Sequence, residues 1–543
     1  MADVFDYVIV GGGTAAGIIA WRLGEAGHSV CVLEAGPSDN HPYLRIPAGF
    51  NKTLFDPQLT WQLRTDPDPG IAGRSIPISQ GKVLGGSSSI NGMIYNRGQP
   101  SDYDSWAQAG NTGWSHDDLL PLFRRTERRI APAGSPDPDP AWRGQDGRLS
   151  VVNANWPNAL EDAFIAASEA NGIPRNSDYN GAGFEGTGNY QSAIHRGWRA
   201  STSTAFLKPA AKRHGVDVRT MAQALRISFD GQRASGVVYR RHGRELAVQA
   251  RREVIVAAGV VNSPKLLQLS GVGPGELLSG HGIAVRHDLP GVGENLRDHF
   301  GPRIVARARA GVDSFNLHVK GLPLVRQVIR WALGMSSVLA TSPGRAYAFC
   351  KSDPAFDTPD FTIMYAPASF KAGLVGVLDD FPGMSVGVWP QRPRSSGYVR
   401  ITSADPDAAP QLNPRYLTDD ADVRILLAGI RITRRIMATE PLAGLIDSEL
   451  FPGVDCQSDE DMIAFVRQFG TTSYHLAGSC KMGPATDAMA VVDPRLRVHG
   501  VQGLRVADAS IMPMIVSANT AAAAMVIGEK CADLVLEDAG AMR

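Results

Sequence analysis

Residues 4–10 (VFDYVIV) form an apolar run continuous enough for a strand buried on both faces. Glycines follow in GGGTAAG at 11–17, and IIAWRLGEAG reads as a helix ending near Gly27. A second apolar run, SVCVLE, closes on Glu34. Strand, glycine turn, helix and strand in that order predict a βαβ unit of an α/β fold. REVIVAAG (252–259) predicts a further buried strand. The apolar-periodic run 520–536 predicts a C-terminal helix with Asn519 at its N-cap. The stretch APAGSPDPDP (131–140) reads as a surface loop, and no internal repeat interrupts the pattern.

The βαβ unit carries the chemistry of a dinucleotide site. Gly11 permits the tight turn, Gly13 lets a pyrophosphate approach the backbone, and Ala16 lets helix and strand pack closely. Thr14 and Ala15 of the glycine turn are further cofactor candidates, and the N-terminus of the helix that follows faces the phosphates. Glu34, followed by Ala35, lies 23 residues after Gly11, where an acid accepts hydrogen bonds from a ribose diol. The same turn could serve another α/β protein, and it does not separate a flavin from a nicotinamide dinucleotide. A second glycine-rich segment, GKVLGGSSSINGMIYNRG at 81–98, bears on that choice. Its Gly81, Gly85 and Gly86, with Ser87, Ser88 and Ser89, can wrap amides and hydroxyls around phosphate or ribityl oxygens.

This segment resembles the first signature of the glucose–methanol–choline (GMC) oxidoreductase family, in its choline, alcohol and sorbose dehydrogenase branch. GVVNSPKLLQLSGVG at 259–273 resembles the second signature, departing from it at Val260. GVGENLRDH (291–299), SSGYVRITSADPDAAPQLNPRYL (395–417), SYHLAGSCKMG (473–483), VVDPRLRVHGVQGLRVADASIMP (491–513) and SANTAAAAMVIGEKCADLV (517–535) are also similar to family blocks, in the same order. The resemblance implies a Rossmann-type FAD-binding domain and a substrate-binding domain whose antiparallel sheet roofs the flavin. It places residues 1–300 mainly in the FAD domain, with 161–199 lent to the substrate domain. Residues 301–391 belong to the substrate domain; 392–535 complete it and return to the flavin. Asn91, Gly92, Met93, Ile94, Ala258, Tyr474, Asp508, Ala509 and Thr520 are implied to stand beside FAD. Some members link FAD through a histidine just before the signature asparagine. Here that position is Ile90, so the resemblance implies non-covalent FAD.

Alcohol oxidation removes a proton from the hydroxyl and a hydride from its carbon. A histidine suits the first task and a flavin the second. The resemblance assigns these roles to His475 of SYHLAG, with Asn519 of SANTAA as its partner. The positive end of the helix after Asn519 would stabilise negative charge on the flavin. Taken alone, a histidine among 12 is more often a surface or core residue, and Asn519 could be a cap alone. A hydroxynitrile lyase on the same fold and a light-driven decarboxylase, which would need a cysteine such as Cys350 or Cys456 at the flavin, are the competing readings. A non-enzymatic binding protein would have no use for His475 and Asn519.

Composition narrows the partners. Lysine plus arginine equals aspartate plus glutamate, 54 against 54, giving no electrostatic reason to expect nucleic acid. No run reaches the roughly 18–20 apolar residues of a membrane span, so no integral membrane segment is expected. Peripheral membrane association stays open. The two acids of Met1–Asp6 argue against a targeting segment, and five scattered cysteines without metal-ligand spacing fit the cytoplasm and no metal. The expected partners are a small-molecule alcohol and dioxygen or a quinone-type acceptor. Tyr347, Phe349, Phe361, Met364, Tyr365 and Trp389 are candidate pocket residues, although aromatics at alternate positions also mark the buried face of a sheet.

Overall fold

A computed structural model describes residues 3–154, 156–371 and 377–541. Its α/β class is the expected one. The βαβ unit forms as read: β1 (Asp3–Val10), α1 (Thr14–Glu25) and β2 (Val30–Leu33). β2, the second half of β1 (Tyr7–Val10) and the core of α1 are buried, because a parallel sheet covered on both faces has no wet side there. Gly27, at φ +85°, turns the chain out of the helix.

β1 and β2 belong to a seven-stranded sheet. Its order runs Asp217–Arg219, β2, β1, Arg244–Val256, Arg233–Arg241 and Ala222–Asp230, with Leu504–Val506 beside the end of Arg244–Val256. The pairings of β1 with β2 and with Arg244–Val256 are parallel, and Leu504–Val506 joins in parallel as well. The carboxyl ends of β1, β2, Arg244–Val256 and Leu504–Val506 therefore open on one edge. That is where ligands bind in open α/β sheets.

A second sheet of six antiparallel strands runs Ile446–Phe451, Arg303–Ala308, Gly383–Pro390, Phe361–Ala366, Ala346–Cys350 and Gly186–Asn189. Its side chains alternate. Ile304, Ala306, Ile363, Tyr365, Met384, Val386 and Val388 enter a core shared with the helices Ala159–Ala170 and Asp420–Met437. The opposite face looks toward the glycine loops of the first sheet.

Candidate active site

Between the two sheets lies a continuous cavity of about 360 Å³. The first sheet contributes its loops. Gly11 sits at φ +96°, and a Cβ there would stand 2.5 Å from the carbonyl oxygen of Ala257. Only glycine fits that turn. Gly86, at φ +53°, lies so close to Gly13 that its Cβ would stand 2.8 Å from Gly13 Cα. The Gly85 amide donates to the Gly12 carbonyl at 2.7 Å, joining two loops more than 70 residues apart in the chain. α1 has no side-chain cap, so its first-turn amides, at Thr14 and Ala15, open toward the cavity. This cradle of uncapped amides and side-chain-free backbone fits a pyrophosphate. The buried Asn262 Nδ2 has no protein partner and lies in the same wall.

Of the cofactor residues expected from sequence, Gly11, Gly13, Thr14, Ala15, Glu34, Ala35, Gly81, Gly86, Asn91, Gly92, Met93, Ile94, Ala258, Tyr474, Asp508, Ala509 and Thr520 all line the cavity. Gly85 does not. It stands one residue behind, where its Cβ would meet Ser89 Oγ at 2.3 Å. Ser87 and Ser88 reach the wall, whereas Ser89 turns inward and donates to the Leu84 carbonyl. Glu34 holds the first loop directly, accepting the Gly12 amide on one carboxylate oxygen and the Gly36 amide on the other, each at 2.8 Å. Burial pushes its pKa up to about 7, against those two hydrogen bonds.

His475 and Asn519 meet in the cavity wall, with His475 Nε2 2.9 Å from Asn519 Nδ2. Asn519 is not the N-cap. The helix begins at Ala521, and the Thr520 carbonyl accepts the Ala524 amide, so Thr520 holds the capping position. Asn519, one residue outside, is thereby free to turn its amide to the histidine.

The other ring nitrogen of His475 reveals a residue that the sequence reading quoted only as the end of a block. His475 Nδ1 lies 2.9 Å from Nδ1 of His299, and His299 Nε2 lies 2.7 Å from the Gln391 carbonyl. A carbonyl only accepts, so His299 Nε2 carries a hydrogen. Burial pushes the His299 pKa down to about 4, so near neutrality its Nδ1 is bare. His475 Nδ1 must then be the donor between the two rings. Burial, with His299 beside it, also holds His475 well below the usual histidine range. Neutral His475 thus has its lone pair on Nε2, at the cavity, receiving the Asn519 amide. Asp298 anchors the loop, accepting the His475 amide at 2.9 Å and the hydroxyls of Thr472 and Tyr416. The Gln391 carbonyl that orders this relay leaves no trace in side-chain sequence.

Among the six candidate pocket residues, Met364 and Trp389 line the cavity. Tyr347 and Phe349 instead pack against Tyr179, Phe184 and Tyr190, and Phe361 and Tyr365 point into the core beneath the sheet. Alternation located the two faces but not which one faces the cavity. Cys350 is buried in that core and Cys456 packs at its margin, so neither of these cysteines lines the cavity. No described helix is long and apolar enough to cross a membrane.

The chain is similar to known proteins over nearly its whole length. The N-terminal GMC oxidoreductase family model matches residues 5–301 and the C-terminal model residues 393–528. The oxygen-dependent choline dehydrogenase of Photobacterium profundum is 38% identical over 542 residues, 99% of this chain and 94% of that protein. Pyridoxine 4-oxidase from Mesorbium loti superposes with a TM-score of 0.87 at 28% identity, covering 99% of both chains. Formate oxidase of Aspergillus oryzae gives 0.92 at 26% identity, covering 100% of both. The chain therefore belongs to the GMC oxidoreductase family and is an FAD-dependent alcohol oxidoreductase.

Proposed function

We propose that His475 is the general base of this enzyme, Asn519 its partner, and the cradle of Gly11, Gly13 and Gly86 the seat of non-covalently held FAD. The observation that carries the reading is the bare Nε2 of a neutral, buried histidine at the wall of the cavity. A base must reach the proton it abstracts and be unprotonated at the working pH, and His475 meets both conditions. Bound FAD supplies the hydride acceptor.

Before substrate enters, the Asn519 amide holds the imidazole plane from the cavity side and His299 holds it from behind. The substrate hydroxyl then takes the place of the Asn519 amide at the single Nε2 lone pair, and His475 Nε2 takes its proton as the carbinol carbon loses its hydride. Met364, Trp389 and the segment carrying Phe50 and Leu54 line the site with apolar surface, which excludes water from the transfer. The apolar side chain of Ile90, in the same wall, offers no atom for a covalent link to the cofactor. Dioxygen or a quinone-type acceptor completes the cycle.

Anaerobic addition of a panel of primary alcohols tests the reading. One of them bleaches the flavin absorbance near ~450 nm, and His475→Ala slows that bleaching by about 10²-fold or more. Bleaching at the wild-type rate in a well-folded His475→Ala protein refutes the assignment.

A further inference from the structure

The substrate side of the cavity contains a cation without a counter-charge. Arg303 opens the strand Arg303–Ala308 and pairs in register with Gly387, which pairs in turn with Met364. Residues directly opposite in an antiparallel sheet share a face. Arg303, Gly387 and Met364 therefore form one row across the cavity wall, and Ile304 and Ala306 point the other way into the core. Glycine in the middle of the row makes room for the Trp389 ring, which a Cβ at Gly387 would approach to 3.2 Å.

Every other charged group in the wall that could answer Arg303 is engaged elsewhere. Glu34 accepts the Gly12 and Gly36 amides. Asp508 accepts from the Gly259 amide at 2.8 Å, the Ser263 hydroxyl at 2.6 Å and the Ser510 amide at 2.8 Å. Both acids belong to the first sheet and its loops, across the cavity. Lys265, the other basic residue of the wall, donates to the carbonyls of Pro406 and Ala408 at 2.7 Å each. Among the described residues, no hydrogen bond or ion pair reaches the Arg303 guanidinium. Tyr474, next to His475, is the charged or titratable neighbour that Arg303 feels, and the buried Tyr474 hydroxyl also lacks a protein partner. A guanidinium keeps its charge in proteins, and Arg303, part-exposed in the cavity wall and without a protein counter-charge, presents that charge to whatever ligand enters.

We propose that the physiological substrate is an alcohol bearing a carboxylate or an equivalent monoanion at the end away from its hydroxyl, and that Arg303 is the residue that binds that anion. The inference rests on the alcohol-oxidising reading above. His475 faces the hydroxyl, Met364 and Trp389 the apolar body, and Arg303 with Tyr474 the anionic end. An arginine in this wall repels a quaternary ammonium, so choline, the substrate named for the relatives at 38% identity, is disfavoured.

The test uses the holoenzyme with two charge series: 4-(hydroxymethyl)benzoate, its amide and its trimethylammonio analogue, and 4-hydroxybutyrate, its amide and choline. In each series that turns over, the carboxylate leads the amide in kcat/KM by about 10- to 100-fold, the range of a charge-assisted hydrogen bond. Arg303→Gln collapses that ratio toward one, mainly through KM, and Arg303→Lys restores part of it. A readout independent of turnover is titration with benzoate, which perturbs the flavin spectrum of the wild type but not of Arg303→Gln. The proposal is overturned if choline or the amides match the carboxylates. It is also overturned if Arg303→Gln slows every alcohol equally, or if benzamide binds as well as benzoate. A flavin that no alcohol of any charge reduces refutes the alcohol-oxidising reading, a different outcome from loss of the charge preference.

Discussion

Replacing His299 by leucine tests the relay that prepares the base. The substitution keeps a side chain of similar bulk but removes the acceptor 2.9 Å from His475 Nδ1. In the wild type, moving the hydrogen of His475 to Nε2 would set two bare Nδ1 atoms against each other and point a hydrogen at the Asn519 amide. The relay therefore holds the hydrogen on Nδ1. In His299→Leu that N–H is buried without a partner, which costs about 1–3 kcal/mol. The cost falls on the one tautomer able to take a proton at Nε2. If it appears fully in the barrier, flavin reduction slows by about 5- to 150-fold. His299→Gln provides the control, because its amide offers a carbonyl to His475 Nδ1–H and an NH2 to the Gln391 carbonyl. It retains a rate within about 5-fold of wild type, a loss of roughly 1 kcal/mol. Anaerobic stopped-flow bleaching with saturating alcohol measures both variants, and the flavin-to-protein absorbance ratio checks that each holds its cofactor. Wild-type rates in a flavin-replete His299→Leu enzyme, or a His299→Gln enzyme as slow as the leucine variant, refute the relay.

Three further outcomes follow from the same geometry. Gly86→Ala places a Cβ 2.8 Å from Gly13 Cα at φ +53°, so the two glycine loops separate and the purified protein loses most of its flavin absorbance; full FAD content in that variant removes the cradle from the account. Because burial holds His475 well below the usual histidine range and His299 at about 4, both stay neutral as pH falls through the ordinary value near ~6.5. The two histidines accordingly add no limb centred on the ordinary value to the flavin-reduction rate; a limb there that survives in Asp298→Asn and in Glu34→Gln, the carboxyls that burial raises to about 6 and about 7, contradicts it. Acid precipitation releases FAD into the supernatant, since Ile90 stands where a linking histidine would, and colour retained in the pellet contradicts non-covalent binding.

Local signals in the sequence determined the nucleotide-binding end of the fold. The βαβ unit was legible because its strands are buried on both faces, and its glycines stand where backbone sterics admit no side chain. The family blocks brought the Rossmann-type fold, FAD and the pair His475 and Asn519 into view, and the two side chains do meet at 2.9 Å. The N-cap role of Asn519 failed by one residue, because an apolar-periodic run marks a helix better than its first turn.

Only the tertiary structure decided the rest, and the reason is common to each case: these features exist only between segments distant in the chain. Alternation in the second sheet shows two faces, but packing of Ala159–Ala170 and Asp420–Met437 against one of them leaves the other to the cavity. That sends Phe361 and Tyr365 into the core and Met364 and Trp389 to the site, while Tyr347 and Phe349, on the same face as Met364, are covered instead by Tyr179, Phe184 and Tyr190. His299 gains its role from a contact across 176 residues and from a backbone carbonyl, which no residue type encodes. Arg303 was one of many arginines until strand register set it on the same face as Gly387 and folding carried every acid of the wall away from it. Periodicity and glycine are read one segment at a time, whereas the partner of a charge or a tautomer is set by whatever the fold brings beside it.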